Sequence, residues 1–174
     1  MINSYIALDL ETTGLNPKSE FITEIAALRV EEGQVTGRFV SLVNPGKPLE
    51  ERITQLTGIT DDMVREAPSM QEIAEEALSF CSGLPLLGHN VTFDYSFLKQ
   101  AAIDLKIPFE GEVVDTLKLC RKFMPAEEKR CLSNACAYYR IPQPLAHRAE
   151  ADAQSAHLLY QKLMEIYGNE CPES

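Results

Sequence analysis

The sequence has no apolar run approaching the ~20 residues that a membrane span needs, and its N-terminus lacks the basic-then-apolar order of a secretion signal. The apolar stretch from Tyr5 to Leu10 is short, carries an aspartate and reads as a strand. A soluble cytoplasmic protein with no membrane partner is therefore expected. Cysteine is sparse: Cys81, Cys120, Cys131, Cys136 and Cys171 form an odd set with no C-x-x-C pair, which argues against a disulfide framework and a structural zinc site. Buried or idle thiols are expected. Repeats, low-complexity tracts and linkers are missing too, so the 174 residues read as one domain, residues 1–174, with a core from about 4 to 168. Apolar residues at 45% and charged residues at 24% exclude disorder.

Positive charge is also scarce. Sixteen Lys and Arg face 26 Asp and Glu, and the net charge of −10 opposes binding to a polyanion. The charge is unevenly distributed, however. Between Lys118 and Arg148 seven basic residues stand against two acidic ones, a local +5, leaving −15 on the remainder. Such a segment either steers a polyanion toward one face or is an unevenly charged solvated surface.

The elements that are present follow in a clear order. Strands are expected over Ser4–Leu10, Phe21–Val30 and Val35–Val43, the last two forming an antiparallel hairpin through Glu31-Glu32-Gly33. Thr60-Asp61-Asp62 and Ser69 read as helix N-caps, the latter opening Met70–Cys81 with Glu72 in capping-box position. A short strand at Pro85–Gly88, a helix over Thr92–Lys106 and a fifth strand at Val113-Val114 come next. Helices near Thr116–Phe123, Cys131–Tyr139 and Glu150–Tyr167 complete an α/β domain with a mixed sheet.

Four carboxylates occupy positions that do not suit carboxylates. Side chains alternate along a strand, so Asp9 and Glu11 share one side, roughly 7 Å apart, at its C-terminal end. In the last helix the stripe Ala156, Leu159, Leu163, Ile166 continues back to Asp152. In the helix after the fourth strand, Leu98, Ala101 and Leu105 continue back to Asp94. Each aspartate alone could favour the helix dipole and escape to solvent. Converging, the four would repel one another unless cations compensate them. A pair of divalent ions, Mg²⁺ or Mn²⁺, wants this donor set and supports in-line phosphoryl displacement.

A base is then required to deprotonate water. His157 lies mid-helix, roughly opposite the apolar stripe, and is expected at the surface. His89, beside Asn90, suits a structural hydrogen-bonding role better than catalysis. His147, five residues before Asp152 and after the Pro142–Pro144 loop, is placed to swing over the metal site. Glu24 interrupts the apolar alternation of Ile22, Ala26, Leu28 and Val30, and is read as a structural hydrogen-bonding residue rather than a fifth ligand. No Cys or Ser stands beside a plausible base, which disfavours nucleophilic hydrolysis.

The segments DLETTGL (Asp9–Leu15), HNVTFD (His89–Asp94) and HRAEAD (His147–Asp152) resemble, in order, the three motifs of the DEDDh 3′→5′ exonucleases. LTGIT at Leu56–Thr60 resembles a further segment of the group that holds the proofreading epsilon subunit of bacterial DNA polymerase III and the exonuclease domain of the Gram-positive replicative polymerase. The likeness runs from Tyr5 to about Tyr167.

That resemblance implies a ribonuclease-H-like fold, a five-stranded mixed sheet with one antiparallel strand, flanked by helices. It implies that Asp9 bridges two metals, that Glu11 and Asp152 complete the site holding the nucleophilic water, and that Asp94 holds the second metal. His147 takes the proton, and 5′-mononucleotides leave from the 3′ end of single-stranded DNA. The Thr12-Thr13 turn, Asn90 and Phe93 would meet the terminal nucleotide. A polymerase or other replication or repair partner is implied. The chain ends soon after the last helix, and the C-terminal extension through which the epsilon subunit engages its polymerase is expected to be lacking. The few basic residues predict weak, distributive binding without a partner. The alternatives are an RNA-trimming or short-oligonucleotide exonuclease on the same fold, and a non-catalytic docking module, which would be marked by the loss of one of the five catalytic residues.

Overall fold

The computed structural model describes residues 2–143 and 147–170. The first strand, β1 (Tyr5–Thr12), pairs antiparallel with β2 (Ile22–Glu31), which pairs antiparallel with β3 (Gln34–Leu42). The β2–β3 hairpin turns on Glu32 and Gly33, both left-handed (φ 51° and 77°), the two-residue geometry that matches strand twist. On its other side β1 pairs in parallel with β4 (Leu86–Gly88), and β4 with β5 (Val113–Asp115). The order β3-β2-β1-β4-β5 leaves β2 as the single reversed strand of five. The ends of β1, β4 and β5 therefore open on one rim.

Helices α1 (Glu51–Thr57), α2 (Asp61–Arg65) and α3 (Met70–Phe80) follow β3, α4 (Thr92–Leu105) follows β4, and α5 (Thr116–Phe123) follows β5. The short α6 (Leu132–Tyr138) and the long α7 (Ala149–Tyr167) close the chain, with a 3-10 turn at Gly168–Glu170. Thr60 caps α2 and Ser69 forms a capping box with Glu72, as their sequence positions predict. Helix α1 is not expected from the sequence. It ends at Gly58, left-handed at φ 71°, two residues before the α2 cap Thr60, so LTGIT is a helix–helix corner.

Strand alternation divides the core into two layers. Tyr5 and Ala7 of β1, with Ala26, Leu28 and Val30 of β2, pack under α5, α6 and α7. Ile6, Leu8 and Leu10, with Ile25 and Ala27, pack on the other face against α3 and α4. Helix α7 lies across β1, β2 and β4 and meets the sheet through Ala149, Ala153, Ala156, Leu159 and Leu163. Ile166, expected on that stripe, is 47% exposed, while its neighbours Met164 and Tyr167 pack on the core instead. In α4 the buried apolar residues are Phe97, Leu98 and Ala102, so Ala101 and Leu105 sit at the edge of the stripe rather than on it. Among the described residues no helix is long and apolar enough to cross a membrane. Cys81, Cys120 and Cys136 are buried free thiols and Cys131 is an exposed one; Cys171 lies outside the described residues.

Candidate active site

Period-two alternation puts Asp9 and Glu11 on the same face as Tyr5 and Ala7, the face covered by α7. Asp152 stands in the first turn of α7, four residues before Ala156, and is buried. Carboxylate oxygens of Asp9, Glu11 and Asp152 all lie within 4.8 Å of one another. Asp94 reaches the cluster from the other layer. It sits in the first turn of α4, buried, and its Oδ1 accepts the Leu10 amide at 2.9 Å, which ties it to the strand between Asp9 and Glu11.

The approach of α4 depends on Gly88. A Cβ there would fall 2.7 Å from the Leu8 carbonyl oxygen and 3.0 Å from Val91 Cβ, so only glycine lets β4 end against β1 and feed α4 toward the site. Asp115 extends this scaffold. Its carboxylate caps α5 at the Leu117 amide (2.9 Å) and accepts the amide of Asn90 (2.8 Å), which holds a left-handed φ of 68°. Nothing but its place at a strand end marks Asp115 in the sequence.

The carboxyl groups feel one another strongly. Burial, then the charges of Asp94, Asp152, Glu11 and Glu24, raises Asp9 well above the usual carboxylate range. Burial likewise raises Asp94, although the Leu10 amide opposes it. Glu11 is pushed up to about 7 by burial, then by Asp152 and Glu24, with Arg148 opposing. Asp152 is raised by burial, against the hydrogen bond from the His147 amide. A cluster in which each carboxyl resists ionisation is one that lacks positive charge. Oxygen donors this close, already half desolvated, suit a hard divalent cation.

Glu24 stands directly opposite Glu11 in the β1–β2 register and is buried. It is not a further donor to the cluster. Its oxygens accept Arg148 Nε (3.2 and 3.1 Å) and an Arg148 terminal nitrogen (2.6 Å), and one accepts the Ala149 amide (2.9 Å) at the N-terminus of α7. The structural reading of Glu24 holds. Its partner Arg148 was missed, although a buried carboxylate on an apolar strand signals that a cation must meet it. Gln143 is a second addition, donating to Asp152 Oδ1 at 2.9 Å.

His147 is exposed, in a left-handed conformation (φ 64°) rare outside glycine, and its amide donates to Asp152 Oδ2 at 3.0 Å. The imidazole thus begins beside the cluster; Pro144 of the preceding loop lies outside the described residues. His89 is fully engaged, Nδ1 with the Thr116 hydroxyl (2.9 Å) and Nε2 with the Arg130 carbonyl (2.7 Å). His157 is buried, not at the surface: its Nδ1 shares a 2.8 Å hydrogen bond with the Tyr5 hydroxyl. The stripe that predicts an exposed His157 is too narrow, because α7 is packed by the sheet and by α5 and α6 together.

The candidate substrate-binding residues separate. Thr13 is buried, its hydroxyl donating to Glu20 at 2.5 Å and accepting the Phe21 amide, its own amide bonded to the Phe21 carbonyl. Thr13 therefore shapes the turn, with hydroxyl and amide both directed inward. Thr12 is half-buried and its hydroxyl donates to the Gly14 carbonyl (2.7 Å). The Asn90 side chain is exposed, and the half-buried Phe93 ring packs 5.0 Å from that of Phe97.

Residues 6–160 match the model of an exonuclease family, RNase_T. The chain is 35% identical over 173 residues to a PolC-type DNA polymerase III of Lacticaseibacillus paracasei, covering 94% of this chain and 12% of that protein. It is 34% identical to the 3′-5′ exonuclease DinG of Bacillus subtilis, covering 92% of this chain and 18% of that protein. The chain thus spans less than a fifth of the length of either relative. In fold it is similar to Escherichia coli exonuclease I solved with a dA16 oligonucleotide (TM-score 0.82, 19% identity, 97% of this chain and 42% of that one). It is also similar to exonuclease X solved with 5′-overhanging duplex DNA (TM-score 0.70, 24% identity, 92% and 91%).

Proposed function

The chain belongs to the RNase_T exonuclease family, and from that premise we propose that it hydrolyses the terminal phosphodiester at the 3′ end of single-stranded DNA, releasing 5′-mononucleotides. The observation that carries this reading is the convergence of Asp9, Glu11 and Asp152 within 4.8 Å, with Asp94 held at the intervening Leu10 amide.

Two divalent cations, Mg²⁺ or Mn²⁺, fit these donors, and when bound they would supply Lewis-acid stabilisation of the attacking and leaving oxygens. Asp9 feels the charges of Asp94, Asp152 and Glu11 together, which supports a share for its carboxylate in holding both ions. Glu11 and Asp152 would complete one ion's site and Asp94 the other's. His147 would take the proton of the attacking water; its amide, bonded to Asp152, fixes where the imidazole begins. Asn90 and Phe93 would meet the terminal nucleotide, with Thr12 and the turn that Thr13 braces forming the opposite wall. The polymerase and DinG relatives support a role beside a polymerase or another replication or repair protein.

The test is a 5′-labelled single-stranded DNA oligomer with Mg²⁺ or Mn²⁺, wild type beside Asp9→Ala, with an EDTA control and a matched RNA oligomer. A ladder shortening from the 3′ end is expected, slowed by at least about 1,000-fold in the variant and abolished by EDTA. The variant removes a repelled carboxylate, so its fold is retained. Faster shortening of RNA would move the substrate to RNA, and intact DNA and RNA with folded protein would defeat the catalytic reading.

A further inference from the structure

We propose that Lys118 and Arg121 of α5, with Lys129 of the loop that follows it, form the surface along which the backbone of a single DNA strand runs to the carboxylates. This deepens the reading above and rests on it for the identity of the strand.

The first observation is how the cations are paired. Arg38, Lys47, Arg52, Arg65, Lys99 and Lys162 each form an ion pair with a carboxylate. Lys118, Arg121 and Lys129 are exposed and, among the described residues, pair with none. Lys118 and Arg121 are one helical turn apart and share a face of α5. Lys18, Lys106 and Arg140 are likewise exposed and outside the ion pairs of the described residues, but they lie apart in sequence. The unpaired cations of α5 and its following loop cluster, and in a chain of net charge −10 such a cluster makes a region that a polyanion can approach. Glu127 and Glu128 lie in the same loop, but the six basic residues between Lys118 and Arg140 outnumber them.

The second observation is where this surface is fastened. β5 runs parallel to β4 and β1, so α5 starts on the rim where β1 delivers Asp9 and Glu11. The Thr116 hydroxyl donates to the Gly88 carbonyl, and Asp115 accepts the Asn90 amide two residues beyond it. The returning loop is bonded to the same place through the Arg130 carbonyl and His89 Nε2. The surface thus begins beside the turn carrying Asn90 and Phe93 and leads away from it. Phosphates of the strand on the 5′ side of the scissile bond would meet a track of cations there.

The test compares a Lys118→Gln/Arg121→Gln/Lys129→Gln triple variant with a control triple, Arg65→Gln/Lys106→Gln/Lys162→Gln, which loses the same charge elsewhere. For a long single-stranded DNA oligomer the first triple is expected to raise KM about tenfold or more with kcat kept. The slope of log KM against log salt should fall by about 2, from three lost phosphate contacts at about 0.7 each. Hydrolysis of the p-nitrophenyl ester of thymidine 5′-monophosphate, which is too short to reach the track, should be unchanged. Anisotropy of a labelled oligomer in EDTA makes the same comparison without catalysis. An inactive wild type would therefore defeat the catalytic reading while the track is still judged by binding. Equal weakening in the control triple, or unchanged affinity and salt slope in the first, overturns the track.

Discussion

Glu24 and Glu11 face each other across β1 and β2, a like-charge pair that would destabilise the sheet without Arg148. Removing the arginine leaves Glu24 buried, with the Ala149 amide as its remaining donor. Arg148→Met should therefore cost about 3 kcal/mol in urea unfolding. Arg148→Lys should recover only part of this, since lysine cannot supply the paired Nε and terminal-nitrogen donors that Glu24 accepts. Adding Glu24→Gln to Arg148→Met should restore stability, because it removes the stranded charge; a coupling below about 0.5 kcal/mol in that cycle would contradict the pairing. Activity follows the same order. The arginine fixes the N-terminus of α7, and with it Asp152 and the backbone of His147, so kcat should fall more than KM rises.

At the scale of elements, glycine decides where helices end and how closely strands approach. Gly58→Ala must place a side chain at φ 71° and should lose about 1 kcal/mol, read by thermal unfolding. Gly88→Ala should lose more, about 3 kcal/mol, because its Cβ would meet the Leu8 carbonyl at 2.7 Å, a backbone atom that cannot swing aside. The strands, the hairpin and helices α3, α4, α5 and α7 were legible because alternation, caps and apolar stripes each pointed to one answer. Helix α1 was not: its seven residues, ERITQLT, carry no capping side chain and bury only Ile53 and Thr57. The clustered carboxylates were legible for the opposite reason, as polar residues where an apolar pattern demanded otherwise. Arg148 was hidden because its partner Glu24 is 124 residues away in sequence. Gln143 and Asp115, whose partners are nine to 25 residues off or in the adjoining helix turn, stand in loop and cap positions that many polar residues fill. His157 was misplaced because a helix covered on more than one side has no single exposed face.

For the molecule as a whole, the carboxylate cluster makes stability depend on pH and on cations together. In the unfolded chain Glu11 ionises near 4.5, whereas in the fold it keeps its proton to about 7. Between those values the unfolded state binds fewer protons than the folded one, so stability is full below about 4.5 and declines as pH rises through 7. Asp9, Asp94 and Asp152 are raised too and act in the same direction. In EDTA the melting temperature should therefore drop between pH 5 and pH 7.5, by on the order of 5 °C for a domain of this size. A divalent cation binds the ionised carboxylates and competes with their protons. Millimolar Mg²⁺ should therefore restore the melting temperature at pH 7.5 and change it little at pH 5. Asp9→Asn should flatten both dependences, since it removes the charge that the other carboxylates share. A melting temperature that rises with pH in EDTA, or an equal Mg²⁺ effect at both pH values, would show that the cluster is not the group being titrated.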